Sequence, residues 1–209
     1  MKRALAILSV LAICFFGFNG LAHATLIGFD DLPTPLVGPG YTSSWGYVPS
    51  SYQGLTWTGW EVTENNSYNI VFGDSVTFPS GPNAAYNGGD GNQVVTISSC
   101  KPFNFTSAYF WTWTYNNSFW NGVSASSLTV SAYSGGTEKG SVLLNLANAP
   151  QEQTFNFTNV DKVTFTENGA GLYWLMDNAQ VSAVPIPSSL LLIVPGLFGL
   201  VALRKRPSK

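Results

Sequence analysis

Between residues 25 and 183 the chain has no arginine and no histidine, and only three lysines, Lys101, Lys139 and Lys162. The other basic residues sit at the two ends, Lys2 and Arg3 at one, Arg204, Lys205, Arg206 and Lys209 at the other. All eleven acids fall within 25–183, so three lysines face eleven carboxylates and the net charge there is −8. Nucleic-acid binding neutralises phosphates with clustered cations, and this composition excludes it. The one histidine, His23, precedes this stretch. Its absence further on removes Ser-His-Asp and Cys-His nucleophile arrangements and every histidine-containing zinc or iron site. Cysteine is scarce too: beyond Cys14 only Cys100 remains, in "TISSCKPF", which allows no internal disulfide. Cysteine is among the most buried residue types, so Cys100 is expected inside.

Long apolar runs occur only at the ends. Lys2 and Arg3 precede an apolar run from Ala4 to Phe18, which leads to Ala22-His23-Ala24, a small-x-small site. This reads as a signal peptide, 1–24, cut after Ala24. Ile13 is too large to precede a lipidated cysteine, so Cys14 is not a lipoprotein anchor. At the other end Leu190 to Leu203 is apolar, and counted from Val184 the stretch has the length of one bilayer core, ~30 Å as a helix. Arg204, Lys205 and Arg206 follow at once and hold that end in the cytoplasm, so everything before it faces outward.

An ordinary membrane anchor accounts for the apolar stretch and its basic end. The order Val184-Pro185-Ile186-Pro187, then Leu190 to Leu203, then Arg204-Lys205-Arg206 also resembles the PEP-CTERM sorting signal of exopolysaccharide-secreting bacteria. The family element is Pro-Glu-Pro, and Ile186 departs from it. The resemblance implies a sorting signal over 184–209 and processing near Pro187 by an exosortase-type membrane protease. Membrane association through the C-terminal helix would be transient, and delivery would be to the cell surface or matrix.

The segment 25–183 is the size of one domain. Its apolar period is two, in short runs: "LTWTGWEV", "QVVTIS", "SAYFWTWTY", "SLTVSAYS", "GSVLLNL", "QTFNF", "KVTFTE" and "LYWLMDNAQV", separated by Gly, Asn, Pro and Ser. This predicts an all-β sandwich, with a closed jelly roll as the arrangement that hides its strand edges. "SGG" at 134–136 reads as a hairpin turn. The motifs "FDDL" (29–32), "YQGLTW" (52–57), "NAAYN" (83–87), "FTSAY" (105–109) and Asp177-Asn178 occur in an order similar to that of an ectodomain carried by PEP-CTERM proteins. That resemblance implies a jelly roll of the carbohydrate-binding-module kind and no catalytic residues.

All seven Trp and nine Tyr, with ten of the fourteen Phe, lie in this segment, about twice ordinary aromatic usage. Sugars stack their C–H faces on exposed aromatic rings while neutral amides and hydroxyls bond their hydroxyl groups. In "SAYFWTWTYNNSFWNG" the alternation puts Tyr109, Trp111, Trp113 and Tyr115 on one strand face and Phe110, Thr112 and Thr114 on the other. Two readings are open, a sugar platform or a core. Trp120, beside Asn116, Asn117 and Asn121, is the best candidate for exposure, and Trp57, Trp60, Trp111 and Trp113 complete the ligand-binding set. The expected partner is an exopolysaccharide or other extracellular glycan.

Asp31 near the start and Asp177 with Asn178 in the last strand offer oxygen ligands suited to a structural calcium ion, since terminal strands of a jelly roll are often neighbours. Local capping by the same side chains is the other reading. "GGDGNQVVT" approaches the calcium nonapeptide, but Gln93 stands where Asp is needed and a lone copy builds no stacked repeat. Catalysis would have to rest on paired carboxylates, Glu61 with Glu64 or Asp74. Nothing in their spacing marks them, and the protein is expected not to be an enzyme. A structural matrix or adhesin protein without a defined ligand is the alternative to a binding module.

Overall fold

The computed structural model describes residues 24–34, 36–37, 44–66, 76–88, 93–113, 124–169 and 173–184. The chain divides into a unit spanning Ala24–Val184 and a second unit made of its two ends, which lies outside the described residues. Signal peptide and C-terminal helix therefore fall outside them, as does Trp120. Among the described residues no helix is long and apolar enough to cross a membrane.

Twelve strands make up the fold of the described residues: β1 Ala24–Ile27, β2 Leu36–Val37, β3 Ser44–Tyr47, β4 Ser51–Tyr52, β5 Leu55–Thr58, β6 Glu61–Glu64, β7 Asn83–Tyr86, β8 Val94–Thr112, β9 Ser127–Ser134, β10 Thr137–Asn145, β11 Gln151–Glu167 and β12 Trp174–Ala183. All strand pairs are antiparallel, in the order β10-β9-β11-β8-β12-β7-β6-β3-β2, with β1 added on β12, β5 on β8 and β4 on β5. The all-β reading of the sequence holds.

Two strands are longer than their sequence implies. "QVVTIS" and "SAYFWTWTY" belong to one strand, β8, and "QTFNF" and "KVTFTE" to another, β11. Each passes from one layer of the sandwich to the other. The first part of β8 (Val94–Ser98) pairs with β5 and with the second part of β11, while its later part (Phe103–Thr112) pairs with β12 and the first part of β11. The bend is made without breaking the strands. Register shifts in β11 cluster between Thr154 and Lys162, where Asn156 and Asn159 take left-handed backbone conformations that asparagine tolerates better than most residues. Cys100 is exposed at this corner, contrary to the expectation of burial, because the bend carries residues 100–102 out of both faces.

The core between the layers is aromatic. Trp60 meets Phe165 and Trp174 edge-on with centroids 5.2 and 5.3 Å apart, and Phe110, Phe155, Phe105 and Trp57 extend the cluster. Such pairs add about 0.5–1.5 kcal/mol each beyond the area they bury. The β9–β10 hairpin turns on Gly135-Gly136, both with positive φ, as a two-residue turn matched to strand twist requires.

Candidate functional site

The register of the longer layer sorts its side chains into two faces. Met176, Ala85 and Val62 stand opposite one another on β12, β7 and β6 and point into the core. The neighbouring row, Trp111, Leu175, Tyr86, Glu61 and Tyr47 across β8, β12, β7, β6 and β3, therefore lies on the outer face. Trp45 and Thr63 stand one row along. This outer face carries a second hydrophobic cluster of Phe78, Ala84, Tyr86, Trp111, Trp113 and Leu175, flanked by half-buried Val76, Tyr109 and Tyr173. Phe78 caps Trp111 with centroids 5.3 Å apart, and Trp113 packs on Tyr86 at 5.0 Å and on Tyr173 at 5.5 Å. The row ends in accessible rings: Tyr47 is 63% exposed and meets half-buried Trp45 edge-on at 5.5 Å.

A carboxylate lies within this face. Glu61 is buried and accepts a short hydrogen bond from the hydroxyl of Tyr86. Burial first, then the charge of Glu61, pushes the Tyr86 hydroxyl far above its ordinary pKa, so it stays a donor across the working pH range. A side chain on Gly88 would collide with Glu61, its Cβ falling 2.1–2.5 Å from Glu61 carbons.

A second polar node occupies the point where β12 exchanges neighbours, from β7 at Leu175–Met176 to β1 at Ala179–Ser182. Here β12 carries a register shift and Asn178 has φ near +50°. Asp177, fully buried, accepts from the Ser80 amide (2.8 Å), the Ser80 hydroxyl (2.8 and 2.9 Å) and the Asn178 amide (2.6 Å). Burial pushes its carboxyl up to about 7, the charge of Asp30 adds to this, and the Ser80 and Asn178 bonds oppose it. Asp30 itself accepts from the Asn83 amide at 3.1 Å.

The sequence-derived candidates sort accordingly. Trp57 and Trp60 are buried in the main core, with indole N–H groups bonded to the Tyr52 and Thr96 carbonyls, and offer no ring face to a sugar. Trp111 and Trp113 are buried in the outer cluster, Trp111 under Phe78. For these four the platform reading gives way to packing. Asp31 turns to the Tyr52 hydroxyl at 2.5 Å, and the carboxylate whose charge bears on Asp177 is that of its neighbour Asp30. Among the described residues no group of three or more His, Cys, Asp or Glu gathers as a metal site. The oxygens near Asp177 that could serve a hard cation are the Asp30 carboxylate, the Gly28 carbonyl, which accepts from Ser80, and Asn178 Oδ1, buried without a partner. Ala24 begins β1 and Val184 is the last described residue; Pro185, Ile186, Pro187, Arg204, Lys205 and Arg206 lie outside. Sequence reasoning passed over Trp45 and Tyr47; the alternation in "SWGY" is the signal that could have found them.

No family model matches the sequence, and no curated protein does. Among solved structures, a family 29 carbohydrate-binding module from Piromyces equi aligns at 9% identity, covering 78% of this chain and 92% of its own, with a TM-score of 0.40. A DUF4465 family protein from Bacteroides caccae aligns at 12% identity over 78% of this chain and all of its own, with a TM-score of 0.48. The Stig cyclase Fisc from Fischerella sp. TAU, solved with (3Z)-3-(1-methyl-2-pyrrolidinylidene)-3H-indole, aligns at 13% identity over 78% of this chain and 99% of its own, with a TM-score of 0.51. The chain shares with that cyclase its all-β sandwich fold, and at this identity the likeness is one of fold alone.

Proposed function

We propose that the protein is an exported, non-catalytic component of the cell surface or extracellular matrix that binds neutral or weakly charged polysaccharide beside Trp45 and Tyr47. The observation that carries this reading is the edge-on pair of half-buried Trp45 and exposed Tyr47 at the end of a cross-strand row that also holds Trp111 and Tyr86. Rings held rigidly by a sheet give a sugar a stacking surface at little entropic cost. The charge of −8 repels polyanions, which leaves neutral glycans as the matching polymer. Catalysis has little support, since Glu61 is engaged by Tyr86 and Asp177 by Ser80.

Two further elements complete the proposal. The segment 184–209 acts as a PEP-CTERM-like signal, read by an exosortase-type protease at the membrane. A structural calcium ion sits at Asp30, Asp177 and Asn178, with Asp30 in the role first assigned to Asp31.

Affinity electrophoresis against a panel of polysaccharides tests the binding. Tyr47→Ala should release about 1–3 kcal/mol of affinity, one stacking contact, with the melting temperature unchanged. Absence of retardation by every polymer favours a structural matrix protein, and release of reducing ends favours an enzyme.

A further inference from the structure

Three buried polar groups at one end of the core have no partner: Glu167 Oε2, Trp174 Nε1 and Thr112 Oγ1. The residues are 1%, 0% and 7% exposed. Thr112 and Trp174 are register partners on β8 and β12, so both side chains leave the sheet on the same side, the side of Phe110 and Met176 in the core. The Trp174 ring stacks on Phe165 with centroids 5.9 Å apart and planes at 29°. Glu167 follows Phe165 by two residues on β11 and so shares its inward face, at the end of the strand where its amide bonds the Gln93 carbonyl. A carboxylate, an indole N–H and a hydroxyl thus all face the aromatic core, each without a partner.

Among the described residues no cation is set against Glu167. Residues 25–183 contain no arginine or histidine. Lys162 stands on β11 five residues before Glu167, roughly 16 Å away along the strand, and leans over the Tyr133 ring at 4.8 Å. Tyr133 is the register partner of both Lys162 and Glu138, which places Lys139 at that same far end. Lys101 lies beyond Ser98, itself opposite Lys162, and is more distant still. A buried carboxylate without a partner is among the most destabilising features a core can contain.

We propose that this end of the core binds a small cation: a positive charge on Glu167 Oε2, a lone pair on Thr112 Oγ1, and an acceptor oxygen carried by the ligand under the Trp174 N–H. A hydrated metal ion and a primary ammonium beside a hydroxyl, as in an amino sugar, share this chemistry. The site is separate from Asp177, which lies on the opposite face of β12.

The test uses the full-length chain and reads two signals, melting temperature and the Trp174 indole N–H resonance, assigned by its loss in Trp174→Phe. Probes are the chlorides of sodium and potassium, methylammonium, and glucosamine hydrochloride. One probe should raise the melting temperature saturably and shift the indole resonance. Both responses should vanish in Glu167→Gln and persist in Glu138→Gln, an exposed carboxylate at the far end of the sheet. A metal-only response identifies an ion, and a response to the amines alone identifies an ammonium ligand. Should Glu167→Gln not fold, Thr112→Val carries the test, with a response weakened at least several-fold. An indole resonance that no probe moves overturns the proposal, as does a response kept by Glu167→Gln, or one unchanged in Thr112→Val. Failure here leaves the glycan reading at Tyr47 untouched, because the two are read on different residues.

Discussion

At the residue scale, the same ring type has opposite roles according to what covers it. Trp111 and Tyr47 share one cross-strand row, yet Phe78 lies over the first and solvent over the second. Trp111→Ala should therefore cost about 3–5 kcal/mol of stability, the penalty for emptying a packed aromatic site, where Tyr47→Ala should cost binding alone. Chemical denaturation separates the two. Alternation put Trp111 and Trp113 opposite Phe110, and that much was legible. It did not say that both faces of the strand are covered, one by the facing layer and one by residues 76–82, because cover comes from distant sequence. Asp177 supplies a pH test. Its carboxyl titrates at about 7 when folded against an ordinary 3.8, so the folded state holds the extra proton. Below pH 4 both states are protonated and the site costs nothing. Between pH 4 and 7 the unfolded chain ionises first, and stability falls by an amount on the order of a few kcal/mol, complete above pH 7. In chelator the melting temperature should drop across that window, and Asp177→Asn should abolish the drop. Calcium at neutral pH should restore stability if Asp30 and Asp177 hold the ion. A melting temperature indifferent to calcium and chelator rules the ion out.

At the scale of elements, the period-two pattern located β5, β6 and β8 to β12 and missed the short strands β1 to β4 and β7, and "SLTVSAYS" at 127–134 matches β9 residue for residue. It failed at continuity. The polar, proline-containing stretch around Cys100-Lys101-Pro102 and the "TNVD" stretch at 158–161 read as loops, because a bend between layers needs the same polar, left-handed-tolerant residues that a loop does. Only the pairing of β8 and β11 along both halves shows that the chain never leaves the sheet. The β9–β10 turn is where local chemistry sufficed. Gly135 and Gly136 have φ of 58° and 79°, with open space around each. Gly136→Ala should then cost about 1–2 kcal/mol through backbone strain alone, whereas Gly135→Asn, which tolerates that region, should be close to neutral. Equal melting temperatures for the two variants would refute this account of the hairpin.

At the scale of the whole molecule, the distribution of charge and of apolar length joins the readings. The unit spanning Ala24–Val184 has eleven acids and three lysines, while the basic clusters and long apolar runs belong to the two ends of the sequence. A stretch of twenty residues from Val184 to Leu203 has the length of a bilayer core, and the arginines and lysine behind it resist translocation. The last strand, β12, ends at Ala183, so the chain passes from paired strand to Pro185-Ile186-Pro187 within two residues. Proline lacks the N–H that a ladder needs and disfavours helix in the residue before it, so the sequence Pro185-Ile186-Pro187 suits neither a continued ladder nor a helix start. If the 184–209 segment is a processed sorting signal, protein recovered from the cell exterior should lack Leu190 to Lys209. Neutral replacements at Arg204, Lys205 and Arg206 should let unprocessed chain escape the membrane before cleavage. Mass spectrometry of the C-terminal peptide in the exterior and membrane fractions measures both. A full-length C-terminus outside the cell removes the processing step, and a full-length chain confined to the membrane fraction reduces the segment to a plain anchor.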